Sequence, residues 1–165
     1  MKTLLLMRHA KSDWNNPKLS DADRPLNKRG KKAAIQIGQW LQDNNLVPNF
    51  VLCSTATRTR ETLGQIRLCT NIDNKDIKYD ESLYLSTLDS LLHKLKTAPW
   101  DKEKIMLLGH NPELEELLSY LCGDDIALSK TGKLFPTASI AVIELNNEIT
   151  QLGGQLKSLV RPKEL

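Results

Sequence analysis

Thr3-Leu4-Leu5-Leu6-Met7-Arg8-His9-Ala10 is an unbroken apolar run that stops on an arginine and a histidine. A short run of this kind, bounded by polar residues, reads as a strand buried on both faces, the strand type of a parallel sheet. Open α/β sheets bind ligands beyond the carboxyl ends of their strands. The rigid fork of guanidinium is the side chain that best matches phosphate oxygens. Arg8 beside His9 therefore points to phosphoryl chemistry, with an imidazole next to a fixed cation. A surface arginine followed by an ordinary strand-end histidine would look the same in isolation, so the rest of the chain decides.

Downstream, the same punctuation returns. After a polar loop from Lys11 to Pro25, a helix is expected over Asn27 to Asn44, with Asn27 as N-cap and Ala33, Ala34, Ile37, Trp40 and Leu41 as its apolar stripe. The basic cluster Lys28, Arg29, Lys31 and Lys32 reads as a solvated helix face. Phe50 to Cys53 reads as a second buried strand, followed by a helix with Leu63 and Ile66 inward. Ile77 to Tyr79 is a weaker strand, and Leu88, Leu91, Leu92 and Leu95 mark a helix. Ile105 to Leu108 is the clearest buried strand after the first, and it ends on Gly109-His110-Asn111-Pro112. The next helix is expected to use Asn111 as cap, Pro112 as first residue and Gly123 as stop. Ser139 to Leu145 should turn at Asn146-Asn147 into a strand over Ile149 to Leu152, with Gln155 to Val160 as a further edge strand.

Strands alternating with helices imply an α/β fold with a mainly parallel sheet covered on both faces and closed at one edge by antiparallel pieces. The 165 residues suit a single domain over 1–165. A net charge of +3, from 23 basic and 20 acidic residues, is too small to argue for nucleic acid. No apolar stretch approaches the length of a membrane span. Cys53, Cys69 and Cys122 have neither disulfide-framework nor metal-ligand spacing, which fits a reducing cytoplasm and no metal.

Four residues then fall at strand ends: Arg8 and His9 after the first, Arg58 beyond the second, and His110 after Leu108. In a parallel sheet these ends share one rim. A nucleophilic histidine needs one ring nitrogen free and the other held by an acceptor. A transferring phosphoryl group needs positive charge around its oxygens. His93 falls off the Leu88-Leu95 stripe and is expected to be solvated.

Beyond those positions, Arg8-His9-Ala10, Ser54-x-Ala56-x-Arg58-Thr59-x-x-Thr62 and Gly109-His110-Asn111-Pro112 resemble the three signature motifs of the histidine phosphatase (phosphoglycerate mutase-like) superfamily. Lys11-Ser12-Asp13-Trp14, Asp23-Arg24-Pro25-Leu26, Arg29-Gly30 and Phe135-Pro136-Thr137 are similar to its short SixA-type branch of phosphohistidine phosphatases. The resemblance implies a three-layer α/β/α sandwich and needs no cofactor. It implies His9 as the transiently phosphorylated residue, Arg8 and Arg58 on the phosphoryl oxygens, and His110 completing the pocket. Ser12 and Asn15, in the loop after His9, are candidate substrate contacts. Ala10 stands where the superfamily has glycine, and Lys11 where many relatives have glutamate.

Glu81, in Tyr79-Asp80-Glu81-Ser82-Leu83-Tyr84, is the candidate general acid, on a loose match. An alkoxide leaves poorly without a proton, its parent acid lying near water at about 15.7. An imidazole leaves easily, its conjugate acid lying at about 6.5. A site with a doubtful acid thus suits a P–N bond, and the expected substrate is a phosphorylated protein. A small phosphorylated metabolite remains the alternative, then a phosphate-binding module without turnover. The oligomeric state is open.

Overall fold

Two rows of side chains on opposite faces of one sheet organise the molecule. The computed structural model describes residues 1–165. In order, the elements are β1 (Lys2–Arg8), α1 (Lys28–Asp43), β2 (Phe50–Ser54), α2 (Thr57–Ile66), β3 (Ile77–Asp80), α3 (Leu88–Lys96), β4 (Lys104–Gly109), α4 (Glu113–Cys122), β5 (Ile140–Leu145) and β6 (Gly154–Val160). The sheet runs β3-β2-β4-β1-β5-β6. The β3-β2, β2-β4 and β4-β1 pairs are parallel, and β1-β5 and β5-β6 are antiparallel. The three-layer α/β/α architecture with a mainly parallel sheet is therefore as the sequence implies.

Strand alternation sends Leu4, Leu6, Leu52, Leu107 and Ile143 to one core, shared with Leu91, Leu92 and Leu95 of α3 and Leu114, Leu117, Leu118 and Leu121 of α4. Leu5, Met7, Val51, Cys53, Met106 and Leu108 face the other, shared with Ala34, Ile37 and Leu41 of α1 and Leu63 and Ile66 of α2. Both faces of the central strands are dry, so these strands read as continuous apolar runs rather than alternating ones. The three cysteines are free thiols. No helix is long and apolar enough to cross a membrane.

Asn27 caps α1 as expected, its side-chain oxygen accepting from the Gly30 N–H at 2.8 Å. Two local expectations need correction. Ile149 to Leu152 is not a strand: the Leu152 N–H donates to the Tyr120 carbonyl at 2.9 Å and Ile149 is buried in the α3-α4 core, so the segment is pinned to α4 as a loop. Asn111 does not cap α4. Its side-chain amide donates to Glu115 Oε1 at 3.0 Å and to the Phe135 carbonyl at 2.8 Å, while Pro112 takes the cap position and Glu113 begins the helix.

Candidate active site

Because β2, β4 and β1 are parallel neighbours, their carboxyl ends bring Arg58, His110 and His9 to one rim. The His9 and His110 rings lie 5.3 Å apart between centroids, each less than a tenth exposed. His9 Nδ1 lies 2.7 Å from the Ala10 carbonyl oxygen. A carbonyl only accepts, so Nδ1 carries the proton and Nε2 keeps its lone pair. The loop is fixed as well: the Ala10 N–H donates to Thr62 Oγ1 at 3.0 Å, and that hydroxyl donates to the Arg58 carbonyl at 2.6 Å. Thr62 thus ties the turn bearing His9 to the helix bearing Arg58.

His110 Nε2 meets Ser54 Oγ at 2.8 Å. That oxygen also accepts from the Ala56 N–H at 3.3 Å, so Ser54 is tied to the start of α2 as well as to the ring. The other ring nitrogen, Nδ1, is buried and has no partner in the chain. Arg8 Nε and Arg58 Nε are likewise buried and unpaired. Two guanidinium N–H donors and a ring nitrogen without protein partners, from three residues of one pocket, match an anion rich in acceptors.

Burial, reinforced by the positive charges of Arg58 and Arg8, pushes His9 down to about 3 and His110 down to about 4. The hydrogen bond to Ala10 opposes this for His9, and the Asp21 carboxylate opposes it for His110, without overcoming it. Both rings are therefore neutral near pH 7, and His9 Nε2 is a free base beside two guanidinium groups.

Asp21 and Tyr84 are the two site residues that sequence reasoning missed. Asp21 sits in the 3-10 turn Asp21–Asp23 within the loop after β1. Its carboxylate lies 3.0 Å from Arg58 Nη2 and 2.9 Å from Arg24 Nη2, and its carbonyl accepts from Arg58 Nη1 at 2.6 Å. The Tyr84 hydroxyl donates to the same carboxylate at 2.5 Å, and the Tyr84 ring packs edge-on to His110, centroids 5.4 Å apart. The hydrogen bond from Tyr84 leads the causes that hold Asp21 down at about 2. The partners are 37 and 63 positions apart in the chain, and no local pattern announces such contacts.

The remaining candidates are placed unequally. Arg8 stands beside the pocket, its Nη1 donating to the Phe135 carbonyl at 3.2 Å, the same oxygen that holds Asn111. Ser12 is buried and accepts from Arg24 Nε at 3.4 Å, joining the Arg24-Asp21-Arg58 chain. Asn15 is exposed and only its backbone is engaged, with Asp13. Glu81 is exposed at the start of the turn Glu81–Leu83, and it is Tyr84, three residues on, that reaches His110. His93 is exposed, as expected.

Comparison with known proteins places the chain in a family. Residues 4–84 match the model of the histidine phosphatase superfamily (branch 1). An uncharacterized protein of Mycobacterium tuberculosis is 35% identical over 143 residues, covering 84% of this chain and 87% of that one. The crystal structure of SixA from Agrobacterium tumefaciens superposes with a TM-score of 0.84 at 31% identity, over 98% of both chains. The protein histidine phosphatase SixA complexed with tungstate shares the fold, with a TM-score of 0.82 at 21% identity over 98% of both chains. The chain belongs to the histidine phosphatase superfamily, in its SixA-type branch.

Proposed function

We propose that this phosphatase removes phosphoryl groups from phosphohistidine on a protein, through a phosphohistidine intermediate at His9. The observation that carries this reading is the hydrogen bond from His9 Nδ1 to the Ala10 carbonyl, which leaves Nε2 as a fixed lone pair in a pocket with two arginines. In the first step Nε2 attacks phosphorus, the Nε2–P bond forms and the substrate's P–N bond breaks, its imidazole leaving with a proton. Water then attacks the phosphorylated His9, the P–N bond to the enzyme breaks, and inorganic phosphate departs. Arg8 and Arg58 hold the phosphoryl oxygens, and His110 donates from Nδ1 to one of them as charge develops. Ser12 sits behind the clamp through Arg24, and Asn15 is a rim contact at most.

The leaving group is argued from protonation. Asp21, the carboxylate in contact with Arg58, is ionised at any pH above about 2 and has no proton to give. The Tyr84 proton is committed to Asp21. Glu81 is exposed, and as a general acid it would have to swing inward. An imidazole is a weak base, its conjugate acid lying at about 6.5, and departs without an acid from the protein, whereas an alkoxide is a strong base and departs poorly unless it is protonated as the bond breaks.

Acid-quenched trapping of labelled phosphate on the wild type and on His9→Ala tests the nucleophile. Label is expected on the wild type alone, and equal labelling removes His9 from the role. Comparing kcat/KM on a phosphohistidine protein with that on a panel of sugar and nucleotide monophosphates tests the bond. A preference for the P–O substrates would replace the protein reading with that of a small-molecule phosphomonoesterase.

A further inference from the structure

Beside the pocket lies a groove of about 800 Å3 that contains Arg8 at one edge and has a single apolar residue in its lining. Lys11 after β1, Arg29 and Lys32 on α1, Lys130 and Lys133 on the loop before β5, and Lys163 in the C-terminal turn border it. None of these six cations takes part in an ion pair. The single acidic residue of the lining, Glu164, is already bonded to Arg161 at 3.2 Å. The whole chain is nearly balanced, at 23 basic against 20 acidic residues, whereas the lining of this groove is strongly basic.

The groove is held in shape. Arg161 is buried, and its guanidinium donates to the carbonyls of Leu134 at 3.0 Å and Ala127 at 2.6 Å, fastening the C-terminal segment to the loop before β5. Within that loop the Ser129 N–H donates to the Lys133 carbonyl at 2.8 Å, and the Lys133 N–H to Ser129 Oγ at 3.1 Å. The opposite wall is α1, on which Arg29 and Lys32 are one turn apart and share a face. Two residues of the basic cluster that reads in sequence as a solvated helix face, Arg29 and Lys32, therefore line a built anion-binding site.

We propose that this groove docks an acidic segment of the phosphorylated protein whose phosphohistidine enters the His9 pocket, a reading that rests on the function proposed above. Arg8 belongs to both, so an occupant of the groove is continuous with the reacting group. The lining has no aromatic side chain on which a base could stack, which argues against single-stranded nucleic acid. Its cations lie on four separate segments, a spread suited to an extended acidic chain rather than to one small anion. Charges of this kind steer encounter and set specificity, with a strong dependence on ionic strength.

The test is the double variant K32E/K133E, which reverses one cation on each wall and leaves the pocket untouched. With a phosphohistidine protein as substrate, kcat/KM is expected to fall by about tenfold or more, through KM, and its salt dependence to flatten. With phosphoramidate, a P–N compound too small to reach the groove, kcat/KM should not change. Equal losses on both substrates, or no loss on either, would overturn the proposal. Separately, fluorescence anisotropy of a labelled oligoglutamate peptide is expected to show salt-sensitive binding to the wild type that is lost in the double variant. Absence of binding, or tighter binding of an oligonucleotide of equal charge, also overturns it. If the enzyme prefers alkyl phosphates while oligoglutamate still binds, the proposed function fails and the acidic-peptide site stands.

Discussion

Ser54 has no ionisable chemistry of its own, yet it orients the His110 ring through the 2.8 Å contact at Nε2. Ser54→Ala removes that partner from a buried ring. The loss of one such hydrogen bond is worth about 1 to 2 kcal/mol, or roughly tenfold in rate, and a fall of that size in kcat/KM is expected. An unchanged rate would mean that His110 needs no orienting partner. Asp21 acts in the opposite sense, since its carboxylate competes with phosphate for Arg58. Asp21→Asn keeps the shape and removes the charge, so the competitive inhibition constant of inorganic phosphate should drop by up to about fivefold, the ceiling set by a half-exposed ion pair. Because Asp21 is held at about 2, the effect should persist across pH 4 to 8. Weaker phosphate binding in the variant would assign Asp21 a supporting role instead. The arginines and histidines were legible because each follows a recognisable apolar run. Asp21 and Tyr84 were not, because their roles exist only once the loop after β1 folds over α2.

The Arg29-Gly30 pair acquires a physical reason at the level of elements. A Cβ on Gly30 would overlap the Lys11 carbonyl oxygen and crowd its backbone nitrogen, so the first turn of α1 can approach the loop after β1 only as glycine. Gly30→Ala is expected to cost about 2 kcal/mol by forcing that loop away, read as a lower urea midpoint at constant slope. Gly64, inside α2, has nothing within 4 Å of such a Cβ, and Gly64→Ala should stabilise by about 0.5 to 1 kcal/mol. If both variants shift the midpoint in the same direction, the close approach at Gly30 is not what matters there. The contrast also explains where sequence reading of elements held and where it slipped. Helices carry periodic apolar stripes and central strands continuous apolar runs, and the bounds of those elements in the sequence lie within a residue or two of the structure. Ile149 to Leu152 and the cap of α4 depend on single hydrogen bonds to Tyr120 and Phe135, which periodicity does not encode.

Two helix layers over one sheet leave the carboxyl-end rim as the place where the whole molecule buries ionisable groups, and this links folding to pH. His9 and His110 titrate near 6.5 in an unfolded chain and at about 3 and about 4 in the folded one. Between these values the unfolded state binds more protons than the folded state, so stability falls as pH falls. The contribution is fully present above pH 6.5 and is lost progressively toward the folded values, at about 1.4 kcal/mol per pH unit for each ring that stays neutral. Asp21 and Asp80, held at about 2 against an ordinary 3.8, act in the same direction but only below about pH 4. The two windows separate the histidines from the carboxylates. Urea unfolding from pH 7.5 to 4 should therefore show a level midpoint down to pH 6.5 and a decline below it, and in H9Q/H110Q the decline should start only near pH 4. Ring-proton NMR of His9 gives the independent reading, with no titration step expected between pH 5 and 8. A step near 6.5 would mean that burial does not depress the ring, and below that pH the nucleophile would first have to lose a proton.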